Sequence, residues 1–199
     1  ALNYAYFLGF LALGVTFVIA TGGIDFSIGP VMFCSALIAG YLLTKSGVPL
    51  ILALLISILT GAAFGCLNGY LVAYWNLPSF ITSMASMMLA KGIGSVFTKT
   101  QSVSWPQASQ ENGSFRMLVK ITTSDGTQIP AGLIVLIVIS IICAVVLNKT
   151  KIGRYILCLG SNKEAVRLSG VNVKKWEMLA YIICGMLAGM AAIAYVGAY

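Results

Sequence analysis

Apolar runs long enough to cross a lipid bilayer, nearly free of charge, constrain this chain more than any other feature. A helix rises 1.5 Å per residue, so about 20 residues cover a hydrocarbon core of about 30 Å. Five or six such segments are present. The first runs from Ala1 to about Ala20, the second from Ile28 to Thr44 and the third from Pro49 to about Trp75. A fourth follows Leu77-Pro78 but meets Lys91 and the breakers Gly92 and Gly94 after about 13 residues, short of a full span, so a broken or re-entrant helix is expected there. The fifth is Ile129 to Leu147 and the sixth Met178 to Tyr199. With 59% hydrophobic and 9% charged residues, against about 45–50% and about 25% in a soluble domain, the chain reads as an all-α polytopic transmembrane helix bundle. Residues 1–199 form a single domain of it. The sequence begins without Met inside one apolar run and stops inside another, which reads as an excerpt of a longer protein.

Several chemistries are excluded by inventory. There is no histidine, hence no Ser-His-Asp system, histidine-ligated metal or imidazole relay. The five cysteines form no CxxC pair, and four lie inside apolar runs, where they read as small buried hydrophobes. No GxxxxGK[ST] loop occurs, so the chain has no standard cradle for ATP. No cofactor is implied.

Twelve basic and five acidic residues leave a net charge of +7. Its distribution matters more than its size. Asn148 to Glu177 carries seven basic residues (Lys149, Lys151, Arg154, Lys163, Arg167, Lys174, Lys175) against Glu164 and Glu177, and so holds five of the seven net charges. Basic residues collect on cytoplasmic loops, which places this segment inside and the polar Lys99 to Gln128 stretch outside, as a solvated loop. The excess therefore signals orientation and not nucleic acid. Tyr155 and Trp176 suit the interfacial aromatic belt. How the first three segments run depends on whether the fourth crosses fully.

Within the apolar region, Asp25 is the one acidic residue before Glu111. In Gly22-Gly23-Ile24-Asp25-Phe26-Ser27 the glycines allow a break between two helices. Asp25 then either caps the next helix or lines a polar path through a broken helix; the cap is the more economical reading. Gly61, Gly65 and Gly69 form a small-residue face echoed by Gly185 and Gly189, a helix-packing device. Asn68 needs a partner in lipid, either across a helix interface or on a substrate. Lys91 either faces a pore or snorkels to the interface, and snorkelling is favoured.

Gly160-Ser-Asn-Lys-Glu-Ala-Val-Arg-Leu-Ser-Gly170 lies within the basic loop. Ser161 with Glu164 reads as a capping box and Gly170 as a C-terminal stop, predicting a helix of about two turns. Ala165, Val166 and Leu168 give it a small apolar surface amid Lys163 and Arg167. Such a helix either docks on a protein or rests on headgroups.

These residues bear a family likeness. Gly22-Gly-Ile-Asp-Phe-Ser-Ile-Gly29, Leu67-Asn-Gly69, Leu77-Pro-Ser-Phe-Ile-Thr82, Thr150-Lys-Ile-Gly-Arg-Tyr155 and Gly160 to Asn172 occur in order and at fitting intervals. The chain resembles the membrane-spanning permease subunit of bacterial ABC importers of the ribose/galactose/xylose type. Phe26 replaces the usual Leu, Pro30 the usual Ser, and Val166 the second alanine of an EAAxxxG coupling motif. The resemblance implies a cytoplasmic coupling loop at 149–177 whose short helix docks on an ATPase subunit through Asn162, Glu164, Ala165, Arg167 and Gly170. It implies a substrate path near Gly22, Gly23, Asp25 and Asn68. It further implies a second permease chain, an extracytoplasmic sugar-binding protein, and membrane lipid around the whole. A monosaccharide or related polyol then passes through a multi-pass protein of the bacterial inner membrane without a bond being changed. The alternative is an ion-coupled secondary transporter, for which Asp25 is the one intramembrane carboxylate available.

Overall fold

The computed structural model describes residues 2–107, 109, 112–119, 121–122 and 128–199. Within them the helices are α1 (Leu2–Ala20), α2 (Ile28–Lys45), α3 (Leu50–Trp75), α4 (Ser79–Phe97), α5 (Ala131–Lys149), α6 (Lys151–Leu168) and α7 (Val173–Ala198). Between α4 and α5 lie a 3-10 turn, Gly113–Leu118, and a two-residue antiparallel pairing of Ile121–Thr122 with Gln128–Ile129. Helices α2, α3, α4, α5 and α7 have the length and hydropathy of membrane spans, and α1 adds the shorter apolar stretch Tyr6–Ala20. Pro49, Pro78 and Pro130 stand just before α3, α4 and α5, where the missing N–H deprives no helical bond. Asn76, at φ 55°, closes α3 in the left-handed conformation.

Two boundaries differ from the sequence expectation. Helix α4 is continuous for 19 residues through Lys91, Gly92 and Gly94. Leaving the helix there would strip backbone groups of partners where lipid offers none, and Gly94 instead lets α4 approach Cys34 and Leu37 of α2. Helix α7 starts at Val173, five residues before Met178, because Asn172 caps it by accepting from the Lys175 amide at 3.1 Å. A true interruption lies between α1 and α2, where residues 21–27 are not helical.

The helix ends alternate. Helix α1 finishes at Ala20 beside Gly160 of α6, and α3 finishes with the Tyr74 ring 5.3 Å from the Lys174 ammonium at the start of α7. Both thus end at the basic end of the bundle. Helices α2 and α4 run the other way, with Tyr41 against Phe97 at 5.7 Å. Gly40 lies under Trp105, and Gly197 of α7 lies beside Val119, so the segment following α4 gathers at the end opposite the basic one. From there Gly132, packed on Tyr6, leads α5 back. The fourth apolar segment therefore spans the bundle from end to end.

Helix α7 is the axis, packed chiefly on α3 and α1. A Cβ at Gly61 would strike the Gly185 carbonyl, and one at Gly65 the Tyr181 carbonyl, so α3 and α7 meet backbone to backbone. Helix α5 is peripheral: Ile134, Ile137, Val138, Ile141, Ile142 and Val145 are all exposed, as lipid-facing residues should be. The segment after α4 is more than a solvated loop. Trp105, Phe115 and Val119 are buried in the main core, and the Trp105 indole donates to the Ala36 carbonyl at 3.2 Å. Its charged Glu111, Lys120 and Asp125 lie outside the described residues.

Candidate functional site

A polar hub sits inside the bundle where the α1–α2 interruption meets α3, α4 and α7. Gly22, at φ 82°, turns the chain, and Gly23 presses against the Tyr181 hydroxyl where a side chain would collide. These two glycines bring Asp25 inward to 8% exposure. Asp25 Oδ1 accepts from the Ser27 amide at 2.8 Å and the Ser27 hydroxyl at 2.6 Å, and Oδ2 faces the Cys184 thiol of α7 at 3.8 Å. The carboxylate thus braces the residue before α2. It does not cap that helix's first-turn amides, as the sequence suggested, and Ser27 makes no side-chain cap either. The reason is local: two residues of separation suit an Asx-type turn, which holds the donors on Ser27.

The chain of bonds continues outward. Asn68 of α3 donates to the Ser27 hydroxyl at 2.9 Å and accepts from the Ser86 hydroxyl of α4. Asn68 and Ser86 are both 1% exposed. Five side chains from four parts of the fold are therefore joined as Cys184, Asp25, Ser27, Asn68 and Ser86. Beside them lies a void of about 10 Å³ lined by Asp25, Ser27, Asn68 and Cys184, which is about the room one water molecule needs. Of the candidate path residues, the structure gathers Gly23, Asp25 and Asn68 around this hub, with Gly22 in the turn that leads to it. Lys91 lies apart from it, on the wall of a recess of about 590 Å³ between α2 and α4 that also includes Gly29, Pro30, Ser95 and Gln101.

At the basic end stands a knob. Helix α6 is interrupted at Asn162, whose extended backbone (φ −159°, ψ 96°) separates Lys151–Ser161 from a short terminal helix. Asn162 Oδ1 accepts from the Ala165 amide at 2.9 Å, so the N-cap is Asn162 and not Ser161. Ser161 is still on the preceding helix and donates back to the Leu157 carbonyl at 3.3 Å. The capping box is therefore absent. Glu164 instead receives the Arg167 guanidinium, with Nε 3.0 and 3.1 Å from its two oxygens and a further contact from Nη2. That hydrogen bond holds the Glu164 carboxyl below its ordinary range and raises the Arg167 guanidinium. Gly170 ends the helix at φ 82°, its amide donating to the Arg167 carbonyl at 3.1 Å.

The knob divides its side chains between two faces. Val166 turns inward onto Leu159 and Val173. Ala165, Glu164 and Arg167 face outward with Leu168, which is 76% exposed. Asn162, Glu164, Ala165, Arg167 and Gly170 thus lie together on one small projecting element. Beside it a recess of about 550 Å³ is walled by Asn76, Lys163, Glu164, Arg167 and Lys174. Glu177, near the start of α7, accepts from the Lys163 ammonium on both carboxylate oxygens, at 2.7 and 2.8 Å.

Sequence reasoning missed Ser27, Ser86 and Cys184 in the hub and Lys163 and Glu177 at the knob. For Ser86 a signal existed: Ser79, Thr82, Ser83 and Ser86 recur at helical spacing, and the last three are buried. Among the described residues no three His, Cys, Asp or Glu side chains gather closely enough to hold a metal ion.

The family described as branched-chain amino acid transport system / permease component matches residues 1–199. The fructose import permease protein FruG of Bifidobacterium longum is 32% identical over 98% of this chain and 57% of its own length. The ribose import permease protein RbsC of Escherichia coli is 32% identical over 92% of this chain and 56% of its own, and that of Bacillus subtilis 33% identical over 92% and 55%. The chain spans about half the length of the curated relatives it matches. No solved structure gives a significant match.

Proposed function

The chain belongs to the family of branched-chain amino acid transport system permease components, a family of multi-pass membrane proteins, and from that premise we propose that it serves ATP-driven sugar import. In this reading it is the membrane-spanning subunit, translocating a monosaccharide or related polyol handed over by an extracytoplasmic binding protein. Hydrolysis occurs on a separate ATPase subunit, and a second permease chain completes the pathway. The observation that carries the reading is that sugar import permeases match 92–98% of this chain.

The geometry supports a division of labour. The knob supplies an outward face of Glu164, Ala165, Arg167 and Leu168, held rigid by Asn162 at one end and Gly170 at the other, on the end of the molecule that basic charge assigns to the cytoplasm. A short, capped helix transmits a push better than a loose loop. Gly22, Gly23, Asp25 and Asn68 are proposed to border the path: their hub ties four parts of the bundle together, so a change in helix packing there opens or closes space beside polar groups. The importer needs ATP and a binding protein, whereas an ion-coupled carrier needs a proton or sodium gradient.

The test is uptake of labelled ribose and fructose by proteoliposomes holding the full-length permease with its ATPase and binding protein. Uptake that requires ATP and survives collapse of ion gradients is expected. Glu164→Lys reverses the charge facing Arg167, and should leave membrane insertion intact while abolishing uptake. Wild-type uptake by that variant would rule out docking through this face.

A further inference from the structure

Among the described residues two charged side chains are buried, Asp25 and Glu177, and α7 engages both. It bears Glu177 near its start and, seven residues on, presents Cys184 to Asp25. Seven residues of helix amount to about 10 Å. The other end of the Glu177 interaction is Lys163, the first residue after the Asn162 break, so the ion pair joins the knob itself to α7.

One further contact joins the knob to α7, and another joins the preceding part of α6 to the same helix. Val166 of the knob packs with Leu159 and with Val173 at the start of α7, and the Tyr155 and Trp176 rings lie 4.9 Å apart. The Asn162 break interrupts the helical backbone between the knob and the preceding part of α6, and Gly170 at φ 82° ends the knob before α7, so no continuous helix runs through it into either neighbour.

We propose that Lys163 and Glu177 are positioning residues that lock the knob to α7, so that a displacement of the knob reaches the Asp25 hub by movement of α7 as one body. This rests on the importer reading given above and extends it: the ATPase grips the outward face, and the Lys163–Glu177 pair sets which transmembrane helix responds. The pair suits that task because Glu177 is buried and receives the ammonium on both oxygens, a geometry that resists shear better than one exposed contact.

The experiment uses the full-length complex and two readouts. The first needs no transport at all. Spin probes are placed at Leu168→Cys on the knob tip and Met186→Cys on α7, with native cysteines replaced. Their separation should show one narrow distribution, broadened in Lys163→Met and in Glu177→Gln and narrowed again in the charge-swapped double variant K163E/E177K. The second readout is sugar moved per ATP hydrolysed, which should fall roughly threefold to thirtyfold in each single variant and recover in the swap, the span expected of modest coupling energies. Pull-down of the ATPase should be unchanged throughout. Unaltered widths in both single variants overturn the lock whatever the chain transports. Broadened widths with an unchanged transport ratio overturn its role in coupling. A wild type whose uptake ignores ATP instead sinks the importer reading, and the spin-probe widths still decide the lock.

Discussion

Asn68 shows how much one side chain can hold in place. Its amide donates to Ser27 and accepts from Ser86, so α3, α4 and the entry to α2 share a single residue. Asn68→Ala leaves both hydroxyls buried with fewer partners, and should cost about 1–3 kcal/mol of stability. A lowered melting temperature in detergent, with the bundle still assembling, checks this. Glu164 makes a milder prediction tied to pH. Its carboxyl lies below the ordinary value of 4.5 because of the Arg167 hydrogen bond. The pair therefore steadies the knob fully above that value, and its contribution is lost as pH falls through the lowered one. Protection of the 163–168 amides, taken as exchange relative to the intrinsic rate at each pH, should fall on acidification through that window in wild type and show no such step in Glu164→Gln. At this scale Asp25 and Asn68 were legible because a charge and an amide are conspicuous among apolar neighbours. Ser27 and Cys184 were not, since serine and cysteine pass unremarked in apolar segments and acquire a role through what lies opposite them.

Among the elements, the knob is the clearest case of right type and displaced boundary. Ser161 and Asn162 are both good caps, and one sequence gives no way to rank neighbouring candidates; the deciding event is the turn of the backbone at Asn162, which leaves Ser161 on the earlier helix. The stop was legible, because a glycine after a short amphipathic run is the residue that tolerates a left-handed φ. Gly170→Ala at φ 82° should cost about 1–2 kcal/mol, seen as faster exchange of the 163–169 amides with the membrane helices unaffected. Helix α4 illustrates the opposite error. Glycines that break helices in water do not do so where backbone groups have no alternative partner, so Gly92 and Gly94 mark packing positions rather than an interruption.

Among the described residues six apolar helices alternate in direction, and the basic segment falls at one end while Trp105 and Phe115 fall at the other. This yields a topology test. Cys158 is exposed in α6, and an impermeant maleimide should label it in inside-out vesicles but not in intact cells. A cysteine at Ser102 should behave in reverse. Labelling of both from one side would contradict the alternation. The packing of the segment after α4 was the least legible feature, because a polar stretch hides the few aromatic residues that fold it back onto α2. The contact of α3 with α7 has a consequence for how such a chain can vary. Gly61, Gly65, Gly185 and Gly189 leave no rotamer between the two main chains to give way. Randomising all four at once should return only tiny residues among survivors, with no gradual series of intermediates, and a methyl tolerated at one site should demand a matching retreat across the divide.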